Sequence, residues 1–333
     1  MKLATRMSRL GTETAFNVLA RAKALEAQGR DIVHLEIGEP DFTTPANIIE
    51  AACKALHDGY THYTPAPGIP RFREVIAQHV SELRGLDFTA ENVVVVPGGK
   101  PIIFFPMLAL VEEGDEVIMP NPSFPIYESM VNFLGARPVF VPLREDQGFA
   151  FDLDVFAASL SARTRLVILN SPSNPTGGVL PKAQITEIAR LLADWPEAMI
   201  LSDEIYARTL YEGVHYSIAS EPGMKERTII LDGCSKTYAM TGWRLGYGVM
   251  RADLAQAVTQ LQINSTSCVN AASQMAGIEA LTGPQDEPAK MVAAFRERRD
   301  AIVPGLNTIP GFRCQMPTGA FYVFPNVEGV GVD

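Results

Sequence analysis

The run SKTYAMTGWRLG, residues 235–246, puts Lys236 just beyond an apolar stretch, with Arg244 eight positions further on. A lysine held there, partly desolvated and close to another cation, loses basicity and offers the neutral amine that attacks an aldehyde. Asp203, in LSDEIY, ends a second apolar run. A carboxylate buried at such a point is costly unless a cation meets it, and a protonated pyridine nitrogen is one such cation. Tyr206, three residues on, reaches the same side if the segment begins a helical turn. Asn174 sits in the proline-fixed loop NSPSNPTG, which can aim its amide at a phenolic oxygen. Gly98, Gly99 and Lys100 open an apolar helical stretch, where bare N–H groups and the positive helix end suit a phosphate. Arg244 can pair with the same group through two N–H donors, and Phe124 can stack on an aromatic ring. Taken singly, each residue has an ordinary structural use as an exposed lysine, a capping aspartate, a turn, a salt bridge or a core aromatic. The case rests on their being brought to one place.

The elements that would do so are legible. Five short apolar runs, VVVV, EVIM, LVIL, MIL and TIIL, stop at PGGK, PNPSF, NSPSNPTG, SDEIY and DGCSK. Runs apolar on consecutive positions suit strands buried on both faces of a mainly parallel sheet. Helical segments lie between several of them. The clearest is residues 181–195, where Pro181 suits the first turn and Ile185, Ile188, Ala189 and Leu192 recur at helical spacing. The alternation predicts an α/β fold. In open α/β sheets ligands bind beyond the carboxyl ends of the strands, where these five polar tails converge. A charged helix over 287–303 is expected to lead to a strand at 321–324, which with residues 1–45 forms a smaller domain.

Composition narrows the function further. The chain has 333 residues, 47% of them hydrophobic, enough for a large core. Its net charge of −10 argues against a nucleic-acid partner. Cys53, Cys234, Cys268 and Cys314 are scattered with no CxxC pair, so neither a disulfide framework nor a zinc site is indicated, and a reducing cytoplasm is the simplest setting. The first ten residues are basic without an apolar core, and the longest apolar stretch, 101–111, is too short for a bilayer, so neither export nor a membrane is expected. His34, His57, His62, His79 and His215 lack metal-ligand spacing, and no GxGxxG follows a first strand, against metal hydrolysis and nicotinamide chemistry.

On these motifs the sequence resembles the class I and II aminotransferases, closest to the bacterial aspartate and aromatic branch. SKTYAMTGWRLG looks like the family's cofactor-lysine signature, NPTG its cofactor-loop signature, and GEPDF at 38–42 its N-terminal substrate loop, all in the family's order. The resemblance implies the fold type I of pyridoxal-phosphate (PLP) enzymes, a mainly parallel sheet of the seven-stranded type with helices on both faces, plus a smaller α+β domain. Residues 46–285 would form the large domain, and 1–45 with 286–333 the small one. It implies PLP as cofactor, held by Lys236 as a Schiff base, and transfer of an amino group from an L-amino acid to a 2-oxo acid by a ping-pong route. Asp203 would face the ring nitrogen, Tyr206 and Asn174 the ring oxygen, and Phe124 the ring. Gly98, Gly99, Lys100, Ser235 and Arg244 would hold the phosphate, with Tyr63 supplied by the partner in a homodimer with shared sites. Gly38 and Asn174 would border the substrate.

Three departures from the family pattern qualify this. Gly233 replaces a hydroxyl residue common in relatives, so that a phosphate contact passes to Ser235 or is lost. No arginine lies in 263–270, where aspartate-specific relatives bind the distal carboxylate. The sequence ends at Asp333, before the part of the family's chain that carries the arginine for the substrate α-carboxylate, which suggests a shortened form. The alternatives are a PLP-dependent β-lyase or decarboxylase on the same fold, and an inactive form that binds cofactor only.

Overall fold

The computed structural model describes residues 1–11 and 14–331; Asp333 lies outside the described residues. Eight strands form one mixed sheet: β1 (Val93–Val96), β2 (Glu116–Asn121), β3 (Arg137–Arg144), β4 (Ala150–Phe151), β5 (Thr164–Asn170), β6 (Met199–Asp203), β7 (Thr228–Gly233) and β8 (Gly246–Val249). Their order is β1-β8-β7-β6-β5-β2-β3-β4. The central pairs β3–β2, β2–β5, β5–β6 and β6–β7 are parallel, whereas β8 runs antiparallel to both its neighbours and β4 antiparallel to β3. This is the α/β sheet expected, with a two-residue strand added at one edge.

Alternation within the apolar runs explains why helices cover both faces. Val94 and Val96, with Leu201 and Leu231, pack against Ile102 and Met107 of the helix Lys100–Leu110 and Tyr127 and Met130 of the helix Ile126–Leu134. Val93, Val95 and Ile230 turn to the opposite face, against Phe72, Ile76 and Val80 of the helix Pro70–Arg84. Further along that face Ile118, Val167 and Ile200 meet Ile185, Ile188 and Leu192 of the helix Lys182–Leu192, with Pro181 at its N-cap. Each fully buried Val or Ile contributes roughly 1.5–3 kcal/mol, so both layers are held strongly.

The C-terminal part departs from expectation. The charged helix is present and longer, Asp286–Leu306. Residues 321–324 form no strand; two isolated bridges, Leu210 with Gly319 and Arg313 with Asn326, take its place. Pro317 and Pro325 bracket the segment, and proline disfavours strand pairing. The N–H groups of Thr318 and Gly319 donate to the Gly177 carbonyl, and that of Ala320 to Thr209. Phe321 instead stacks on Phe295 of the long helix, 5.0 Å between centroids, and meets Tyr206 edge to face. No helix among the described residues is long and apolar enough to cross a membrane.

Candidate active site

The carboxyl ends of β5, β6 and β7 open on a cleft of about 1020 Å³. β6 delivers Asp203 as its last residue, paired in register with Leu231 of β7, and both line the cleft. β7 runs into the short helix Cys234–Thr237, which carries Ser235 and Lys236 to the same cleft. β5 ends at Asn170. Its amide donates to the Asp203 carbonyl at 3.2 Å and its Oδ1 accepts from the Asn174 N–H at 2.8 Å, fixing the start of the loop.

Asp203 is 5% exposed. Burial pushes its carboxyl up to about 6, against the donors Tyr127 Oη (2.6 Å) and the Ile205 N–H (3.2 Å), while Asp232 and Glu204 add to the rise. A carboxylate desolvated beyond what its own donors repay favours an incoming cationic N–H group. Lys236 Nζ donates to the Gly38 carbonyl at 2.5 Å and lies 5.9 Å and 5.5 Å from the ring centres of Tyr206 and Phe321. The Tyr206 hydroxyl is 2.6 Å from that of Tyr322, which accepts from the Asn174 amide at 3.3 Å. Burial, then the Tyr322 hydroxyl, raises Tyr206 well above the ordinary tyrosine range, so it is a neutral donor.

At the other end of the cleft Gly98 has φ +82° and a Cβ there would run into the Arg244 guanidinium, whose Nη1 donates to the Thr241 carbonyl at 2.8 Å. Only glycine permits both the left-handed backbone and this approach. Gly99 N-caps the helix Lys100–Leu110, so the positive end of that helix, Lys100 and Arg244 gather where an anion is favoured. Phe124 lines the same cleft, edge to face with Tyr127 at 5.8 Å and 5.5 Å from Lys100 Nζ.

Of the residues singled out in the sequence, Lys236, Asp203, Tyr206, Asn174, Phe124, Gly99, Lys100, Ser235, Arg244 and Gly38 line this one cleft. Gly98 stands behind the lining against Arg244. Tyr63 is not among the residues that line it and is 89% exposed. A sequence profile of the family described as Aminotransferase class I and II matches residues 30–330. The chain belongs to the class I and II aminotransferases.

This aminotransferase is 39% identical over 328 residues to an aspartate aminotransferase of Bacillus sp. (strain YM-2), covering 98% of this chain and 83% of that one. It is 38% identical to an asparagine–oxo-acid transaminase of Streptococcus mutans, covering 98% and 84%. Among solved structures, the aspartate aminotransferase of Rhizobium meliloti superposes with a TM-score of 0.95 at 37% identity, covering 99% of this chain and 83% of that one. That of Thermus thermophilus with maleate gives 0.93 at 37%, covering 98% and 85%. The fold is therefore the type I fold of this family, and the chain is an enzyme that transfers amino groups.

Several members of the cleft escaped the sequence reading: Tyr127, which holds Asp203; Asn170, which holds Asn174; and Tyr322, between Tyr206 and Asn174. Phe16, Lys23, His34 and Glu36 line the opposite side. Polar residues closing a strand were available as a signal for Asn170. The two tyrosines carry none, since each is an aromatic in an apolar context.

Proposed function

We propose that this aminotransferase binds pyridoxal phosphate in the cleft and moves an amino group from an L-amino acid to a 2-oxo acid in a ping-pong cycle. The observation that carries the reading is that an amine, Lys236, and an under-compensated buried carboxylate, Asp203, line one cleft from adjacent strand ends, with a glycine-and-arginine anion corner beyond. These groups fit the cofactor. Asp203 would meet its ring nitrogen, Tyr206 and Asn174 its ring oxygen, and Phe124 its ring face. Gly99, Lys100, Ser235 and Arg244 would take the phosphate, with Gly98 leaving room for the arginine, and Lys236 would hold the aldehyde covalently. When bound, pyridoxal phosphate supplies an electrophilic aldehyde and a ring that withdraws electrons from the substrate Cα–H bond. The chain's own part is to move a proton at Lys236 Nζ, to keep a negative charge at Asp203, and to donate from Tyr206 and Asn174.

Gly38 and Asn174 would border the substrate carboxylate. Tyr63, outward-facing on one protomer, would complete the site of a second copy in a cytoplasmic homodimer; its 89% exposure supports this. We assign residues 46–285 to a large cofactor-binding domain and 1–45 with 286–333 to a small one, supported by the cleft lying between strand ends and residues 14–41. The relatives' names put aspartate first among donors to screen. The test is spectroscopic: chain loaded with pyridoxal phosphate should absorb in the visible and lose that band on addition of a single amino donor without acceptor. A chain that takes up no pyridoxal phosphate would overturn the reading.

A further inference from the structure

We propose that Arg84 is a positioning residue for amino transfer, acting from the far face of the sheet through Glu204 and Asp232 on the strand ends that carry Asp203 and Lys236. The inference rests on the reading of Asp203 given above. Asp203 and Leu231 pair in register and face the cleft. Because side chains alternate along a strand, the next residues, Glu204 and Asp232, turn to the opposite face. There both meet one guanidinium. Arg84 closes the helix Pro70–Arg84, and its Nε and Nη2 donate to Glu204 Oε2 at 3.0 and 2.7 Å, while Nη2 lies 3.5 Å from Asp232 Oδ2. Its side chain is 2% exposed, that of Glu204 1% and that of Asp232 8%.

The other carboxylate oxygens of the cluster also have partners. Glu204 Oε1 accepts from Ser202 Oγ at 2.8 Å and from Ser217 Oγ, and Asp232 Oδ1 accepts from the Gly233 N–H at 2.7 Å. His215 Nε2 lies 3.0 Å from Glu204 Oε2, off the hydrogen-bond axis. The Glu204 N–H donates to the Leu231 carbonyl at 2.9 Å, so the β6–β7 ladder runs on to the clamped residue. One side chain thus ties the end of the strand that carries Asp203 to the end of the strand that leads, through the short helix Cys234–Thr237, to Lys236.

The charge count points the same way. Asp203, Glu204 and Asp232 place three buried carboxylates around these strand ends, and Arg84 is the guanidinium bonded among them. Burial opposes ionisation of Glu204, but Arg84, then His215, holds it well below the ordinary carboxylate range, so its charge is fixed. Burial raises Asp232, with Arg84 opposing the rise. On the cleft face of Asp203 are Tyr127 from the helix Ile126–Leu134 and Tyr206 beyond β6, while Asp232 and Glu204 act on it from the opposite face; facing the cluster are His79 of Arg84's own helix, Arg208, and Tyr247 on β8. Burial, then Arg208 and Arg84, pushes His79 down to about 4, and burial keeps Tyr127, Tyr206 and Tyr247 neutral. Removing the Arg84 charge therefore makes Asp203 harder to ionise, and removing the Glu204 charge makes it easier.

Two readouts on the full chain test this. One is the pH midpoint of the infrared carboxyl band that Asp203→Asn abolishes, in the cofactor-free chain. The other is the pH midpoint of the visible absorbance after loading with pyridoxal phosphate. Arg84→Met should move both midpoints up and Glu204→Gln should move both down, each by about half a unit or more. The double variant Arg84→Met/Glu204→Gln should return towards wild type. Packing damage alone would move the two single variants the same way, so shifts of equal sign, or none, overturn the proposal. Should Arg84→Met not fold, the downward shift in Glu204→Gln carries the test and its absence sinks it. If Asp203→Asn leaves the loaded chain's absorbance and pH profile untouched, the assignment of Asp203 itself falls; the Arg84 proposal fails separately when Asp203→Asn behaves as expected and the opposed shifts do not appear.

Discussion

The two walls of the cleft are built by different rules. The wall formed by the strand ends is buried and bonded at nearly every polar atom: Asp203 accepts from Tyr127 and Ile205, and Asn170 ties Asp203 to Asn174. The wall formed by residues 14–41 leaves Phe16, Val18, Val33 and Leu35 exposed and is tied by surface ion pairs, His34 with Glu26 and Glu36 and Arg298 with Asp41. Reacting groups need sub-ångström placement, and those proposed here sit on the stiff wall, whereas a side that substrate would pass can be held loosely. Surface pairs are worth little in stability, so the second wall yields first.

Substitutions can break this contrast in order of size. Lys236→Ala should abolish the visible absorbance and lower turnover by on the order of 10⁴-fold, the upper range for losing an acid–base group that also binds covalently; retained absorbance would remove Lys236 from the site. Asp203→Asn should keep uptake of pyridoxal phosphate and slow turnover by roughly 10²- to 10³-fold, read from single-turnover rates. Gly98→Ala forces a left-handed φ on a side chain at a cost of about 1–2 kcal/mol and displaces Arg244, so pyridoxal phosphate should bind about tenfold or more weakly by fluorescence titration.

Tyr127→Phe removes a donor to Asp203. The Asp203 carboxyl, already raised to about 6, should rise further, and its infrared midpoint should move to higher pH. The smallest effect sharpens the contrast from the other side. Hydrogen bonds to Glu36, then Glu26, raise the His34 pKa above 6.5, so the stability from this site is fully present below 6.5 and is lost as pH rises through the raised value. His34→Gln should flatten that pH dependence in thermal melts while leaving turnover at pH 8 within about twofold. A large loss of turnover would show that the second wall is as exacting as the first.

The stiff wall was legible in the sequence and the loose one was not. Apolar runs ending in SDEIY, DGCSK and NSPSNPTG announce both strand burial and the polar residues left at the mouth, so Asp203, Lys236 and Asn174 could be placed together without coordinates. Tyr127 lies 76 positions from its partner within an apolar helix, where its ring reads as core and nothing marks its hydroxyl. The aromatic run at 321–324 has strand composition, but its flanking prolines and its packing on Phe295 decide otherwise. Arg84 precedes Gly85 at a helix end, the usual place for an exposed cation, and only the fold turns it inward to Glu204. Residues 14–41 show no strand pattern, and their lining role comes wholly from tertiary placement.

The Asn170 amide has one more consequence. With one hand on the Asp203 backbone and the other on Asn174, it joins the grips proposed for the ring nitrogen and the ring oxygen of the same flat ligand. Vibration or thermal expansion that displaces one grip carries the other along, so the ligand would ride as a passenger and not be sheared between independent supports.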